Sequence, residues 1–146
     1  MALDKDLIGK TWPAAEYEVG REKIREYANA VGETNPIHHD PEAAREAGFR
    51  NVVAPPMFCV VYSAPAMGPA IVDPGLGINL AVMVHGGQEF VWGEPVCAGD
   101  AITTTPRLAD LSEKNGMSFY VFESTSLNQD GEATVKGTWT NIVRSG

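Results

Sequence analysis

Cysteine is scarce in this chain. Cys59 and Cys97 are two thiols among 146 residues. They form no Cys-x-x-Cys pair, and with the three histidines they show no recognisable metal-ligand spacing. Each lies in an apolar or strand-like run, so both read as reduced core residues of a cytoplasmic protein. Positive charge is also short. Lys and Arg number 11 against 19 Asp and Glu, a net charge of -8. Nucleic acid and anionic membrane both need a basic face, so neither is expected as the main partner. No apolar run reaches 18 residues without interruption, which excludes a membrane-spanning helix. The start, MALDKDLIGK, lacks the basic-then-apolar pattern of a signal peptide.

What is present suits one globular domain over residues 1–146. Such a length lets a chain bury roughly 70% of its unfolded surface without a disulfide. "AEYEV" (15–19) alternates like a short strand. Ile24, Tyr27, Ala28 and Val31 form a helical stripe over 21–31, ended by Gly32. Asp40 is a good N-cap, Pro41 fits the first helical position, and Gly48 stops this second helix. Residues 55–72 carry no charge at all. They predict a buried helix over 56–64, which Pro65 and Pro69 would end or kink. Four strand-like segments follow at 85–96, 101–113, 117–128 and 132–144. In the last, Ala133, Val135, Trp139 and Val143 are expected to point one way, and Glu132, Thr134, Lys136 and Thr140 the other. Trp92 and Trp139 read as core. The pattern is α+β: an antiparallel sheet wrapped around a central helix.

The most informative stretch is "GETNPIHHDPEAA" (32–44), a polar loop between two helix ends. Tyr27 precedes it; Gly32, Glu33, Thr34, Asn35, Pro36, Ile37 and His38 follow, and Ala44 lies six residues beyond the histidine. This order and spacing resemble the motif of the MaoC-like and (R)-specific enoyl-CoA hydratases. "VGREKIREYANAVGETNP", "APPMF" and "VHGGQEF" look most like the FAS1-like N-terminal dehydratase branch of that family. There are two departures. Glu33 stands where the family has Asp, and Pro55-Pro56 where it has His-Gly.

The resemblance implies a hotdog fold and hydration or dehydration of trans-2-enoyl and 3-hydroxyacyl thioesters, on CoA or acyl carrier protein. It implies no cofactor and no metal. It also implies a homodimer, or a heterodimer with a second hotdog subunit. Glu33 and His38 would hold one water between them as acid and base. Asn35 would orient the loop or the water. The Met57 amide would face the thioester oxygen, because Pro55 and Pro56 have no N–H to offer. Tyr27, His85 and Gly86 would touch substrate. An alternative is a non-catalytic acyl-binding subunit of a heterodimeric dehydratase. A hotdog thioesterase fits less well, since many place a carboxylate on or beside the central helix and 55–72 has none.

Overall fold

The computed structural model describes residues 3–144; positions 1–2 and 145–146 of the expected domain lie outside them. Five antiparallel strands form one sheet in the order β1-β3-β4-β5-β2. They are β1 (Ala15–Glu18), β2 (Met83–Trp92), β3 (Ala101–Lys114), β4 (Met117–Leu127) and β5 (Ala133–Arg144). The helices are α1 (Arg21–Ala30), α2 (Pro41–Glu46) and α3 (Cys59–Ile71). α3 packs on β1, β3 and β4 and is the central helix of a hotdog fold.

α3 is set by its apolar spacing. Cys59, Tyr62, Ser63, Ala66, Met67 and Ala70 are buried, a stripe at helical period. Its first turn joins a core cluster with Ile24, Phe58 and Ile102; its last turns join a second with Leu108, Phe122 and Trp139. Complete burial of a side chain such as Phe58 is worth about 1.5–3 kcal/mol. A single 3-10 turn, Pro56–Phe58, leads into α3.

The helix continues through both prolines to Ile71, well past the expected end at 64. Pro65 and Pro69 lie four residues apart on its exposed face, beside exposed Gly68. Each proline removes one i to i-4 hydrogen bond. The carbonyls released on that face can turn to water, so the buried stripe keeps the helix intact.

A second difference lies in β5. Val135, Trp139 and Val143 face inward as expected, but Thr134 is buried too and Ala133 is exposed. Ser126 pairs with Val135 while Leu127 pairs with Ala133, so Thr134 is the extra residue of a β-bulge. A bulge breaks the two-residue alternation and re-aims one side chain. β2 also stops earlier than expected, at Trp92. Residues 96–98 instead pair with 52–54, through Ala54 N–H to the Val96 carbonyl at 2.8 Å and Ala98 N–H to the Val52 carbonyl at 2.9 Å.

Asp40 caps α2: its carboxylate accepts from the Glu42 N–H at 2.9 Å. Asp40→Ala should cost about 1 kcal/mol, read as a lower urea midpoint with unchanged slope.

Asp73 pins the N-terminal segment to the far end of α3. It accepts from Lys10 Nζ at 2.6 Å, Trp12 Nε1 at 2.7 Å and Gly75 N–H at 2.8 Å. The Lys10 ammonium, then the Gly75 and Trp12 donors, pull this carboxyl from 3.8 down to about 2. A carboxyl lowered on folding stabilises the fold above its unfolded value and loses that contribution as pH falls through the folded one. Acid titration should therefore show lost stability between roughly pH 4 and pH 2. Asp73→Asn should flatten the curve in that window.

Candidate active site

The loop between α1 and α2 is built from its own polar groups. Asn35 caps the 3-10 turn Pro36–His38, accepting from the Ile37 N–H at 3.2 Å. The Glu33 carboxylate accepts from the Asn35 N–H at 3.1 Å. His39 Nε2 donates to the Glu33 carbonyl at 2.8 Å, tying the loop across its base.

His38 is buried, and its Nδ1 lies 2.6 Å from the Val53 carbonyl. A carbonyl oxygen only accepts, so Nδ1 carries the proton and neutral His38 has a bare Nε2. The backbone N–H of Val53 in turn donates to the Ile37 carbonyl at 2.9 Å. Val53 thus straps the turn twice, and its own position is fixed by the pairing of 52–54 with 96–98.

That second segment is anchored by Asp100, which is 2% exposed. Its carboxylate accepts from the Cys97 N–H at 2.9 Å, from Gln129 Nε2 at 3.1 Å and from the Arg50 guanidinium. Nothing in local spacing links Asp100 to Arg50 or Gln129, which are brought to it by tertiary folding.

His38 opens on a cavity of about 350 Å³ beside the start of α3. Its mouth is formed by half-buried Phe49 and by exposed Pro56, Trp92, Glu94 and Pro95; its inner wall by buried Cys59, Tyr62 and Thr134. Trp92 is therefore a rim residue, not core. Its indole donates to the Pro56 carbonyl at 2.8 Å, which joins the end of β2 to the start of the helix. The walls are chiefly apolar, and burial pushes the Cys59 thiol up to about 11, so this sulfur stays protonated.

The expected site residues do not all meet here. His38 lines the cavity; Glu33 does not, and its carboxylate is engaged within its own loop. Pro55 and Pro56 line it at the helix start. The Phe58 N–H is spent on the Pro55 carbonyl at 2.9 Å, which leaves Met57 as the first N–H donor of that turn. Met57 is not among the residues that line the cavity, and its side chain points to solvent. Tyr27 stacks edge-to-face on Phe58 at 5.5 Å and supports the helix start from outside the cavity. His85 is exposed, edge-on to Trp139 at 6.1 Å. Gly86 sits at a bulge in β2, where a Cβ would come within 2.4 Å of Ile142 Cδ1. Neither reaches the cavity. Tyr62 and Thr134 were not anticipated as cavity residues. Tyr62 reads as ordinary core, and the bulge hides Thr134.

Residues 6–136 match the model of the FAS1-like dehydratase domain region. The chain belongs to this family, within the MaoC-like hotdog proteins. Relatives of the FAS1-like domain include the UPF0336 protein of Saccharopolyspora erythraea, 39% identical over 99% of this chain and 93% of that one. The UPF0336 protein of Streptomyces coelicolor is 42% identical over 98% and 95%. Among solved structures, a MaoC-like dehydratase superposes with a TM-score of 0.85 at 25% identity. It covers 96% of this chain, which spans 43% of that protein. The HadBC 3R-hydroxyacyl-ACP dehydratase complex of Mycobacterium tuberculosis superposes with a TM-score of 0.72 at 26% identity, covering 96% and 99%.

Proposed function

We propose that this FAS1-like domain interconverts trans-2-enoyl and 3-hydroxyacyl thioesters by syn addition and loss of water. The supporting observation is the His38 imidazole, held in one tautomer by the Val53 carbonyl in the wall of an apolar cavity. In hydration, Nε2 takes a proton from water as the water oxygen bonds to C3 of the enoyl group. The imidazolium then returns that proton to C2 on the same face. One group serving both steps from one side accounts for syn addition. The Met57 N–H faces the thioester oxygen and stabilises the enolate charge that forms between the two steps. Glu33 sets the loop's shape and, on swinging from Asn35, orders the attacking water. Acyl-CoA and acyl carrier protein thioesters both present the same reacting atoms.

The domain works beside a second hotdog subunit, identical or different. β2 is an open edge strand whose Val91 is 70% and Val84 58% exposed. A long apolar edge of this kind calls for a pairing strand. HadBC and the ChsH1-ChsH2 complex of Mycobacterium tuberculosis are two-protein assemblies among the superposable structures.

A second reading, a non-catalytic acyl-binding subunit, is favoured by one observation. The Glu33 carboxylate is engaged by Asn35 and lies off the cavity wall. Crotonyl-CoA hydration by the purified chain, with its sedimentation measured in the same preparation, decides between them. Turnover by the lone protein as a dimer supports the enzyme. Silence until a different hotdog subunit is added, followed by turnover that His38→Asn in this chain leaves unchanged, supports the binding role.

A further inference from the structure

Two buried hydroxyl side chains line the inner wall of the cavity. Tyr62 enters from the second turn of α3 and Thr134 from the bulge in β5; they are 3% and 2% exposed. The Tyr62 hydroxyl donates to Thr134 Oγ1 at 3.3 Å. Thr134 Oγ1 donates onward to the Ser126 carbonyl, also at 3.3 Å. This chain of hydroxyls joins helix to sheet across the inner end of the cavity. Behind it stand more buried hydroxyls, Thr104 Oγ1 and Ser126 Oγ, 2.7 Å apart. Burial pushes the Tyr62 phenol up to about 12, so it remains a neutral donor at working pH.

An alkyl tail that runs inward between α3 and β5 meets this pair. It would have to displace the Tyr62 ring and break a buried hydrogen bond, leaving polar atoms without partners. The cavity volume, about 350 Å³, also lies at the small end of ligand pockets. We infer that Tyr62 sets the acyl-length limit of this site, and that the site takes short linear acyl thioesters of the crotonyl and hexenoyl class. This rests on the cavity being the acyl pocket of the proposed function.

The test is binding, not turnover. Saturated acyl-CoAs from butyryl to dodecanoyl, and the same acyl groups on acyl carrier protein, are titrated by calorimetry into the protein in its native assembly. Affinity should rise by roughly fourfold per methylene, the equivalent of about 0.8 kcal/mol each, as far as hexanoyl. It should then fall by about tenfold or more at octanoyl and dodecanoyl, the loss expected on stranding a buried hydrogen-bonding group. Tyr62→Ala should raise octanoyl and dodecanoyl binding by about tenfold, and Tyr62→Phe, which keeps the ring but has no hydroxyl to strand, should relax the limit only in part. Should the alanine variant not fold, Tyr62→Leu must shift the limit in the same direction. Wild-type affinity that keeps rising to dodecanoyl, or a limit unmoved in a folded Tyr62→Ala or Tyr62→Leu, overturns the length limit and leaves the proposed function standing. Absence of binding at every length on both carriers overturns the proposed function and the limit with it.

Discussion

His38→Asn should fold and assemble as the wild type does, yet hydrate crotonyl-CoA at least about 10²-fold more slowly, the scale of general acid–base catalysis. Asparagine is the informative replacement. Its side-chain amide can donate to the Val53 carbonyl as Nδ1 does now, at 2.6 Å, so the strap on the loop survives. What disappears is the bare Nε2 lone pair. Alanine would remove the base and also leave a buried carbonyl without its partner, a penalty of about 1–3 kcal/mol. That would mix a folding defect with a catalytic one. Steady-state hydration of the asparagine variant, alone and with any partner subunit, is the measurement. Equal rates for both proteins would remove His38 from the chemistry and leave the acyl-binding role.

Asp100→Ala should cost about 3 kcal/mol of stability, the upper range for leaving a buried donor without its acceptor. The carboxylate is 2% exposed and collects donors from three separated segments: Arg50 after α2, Cys97 in the turn before β3, and Gln129 in the hairpin between β4 and β5. Without it the Cys97 N–H is buried and unpaired, whereas Arg50, half exposed, can turn to water. The loss should appear as a fall in melting temperature of about 10 °C for a chain of this size. Asp100→Asn keeps an acceptor for the Cys97 N–H and should lose less. An alanine variant that melts within a degree of the wild type would show that the three segments hold together without this hub.

The periodic parts of this molecule were legible in the sequence. The helical stripe of Ile24, Tyr27 and Ala28, the cap at Asp40, the uncharged run at 55–72 and the four later strands all announce themselves through local spacing, although Val31, just past the end of α1, is exposed, the central helix runs on to Ile71 and β2 stops at Trp92. The failures share a cause, because each depends on what packs against the segment. Pro65 and Pro69 are helix breakers in isolation; on the outer face of a buried helix they cost only bonds that solvent can replace. Thr134 belongs to the outer set by strict alternation, and one bulged residue turns it inward. Trp92 is apolar enough for any core, but the end of its strand places it at the cavity rim. The loop motif singles out His38, which lines the cavity. It could not tell where the Glu33 carboxylate would point, because the nearest backbone donor, on Asn35, competes with any water for it.

The strap on His38 is made by peptide groups alone. The Val53 carbonyl takes the imidazole proton and the Val53 N–H holds the turn, so no side chain chooses the tautomer. Drift in residue type at position 53 leaves the carbonyl in place. Even proline would remove only the N–H. What the arrangement does not tolerate is a one-residue slip of 52–54 against 96–98. Such a slip would bring a neighbouring residue's carbonyl, pointing the other way in an extended segment, opposite the ring. The protonation pattern of this histidine is therefore guarded by strand register, and an alignment column at position 53 could change among apolar residues while the orientation it imposes is inherited unchanged.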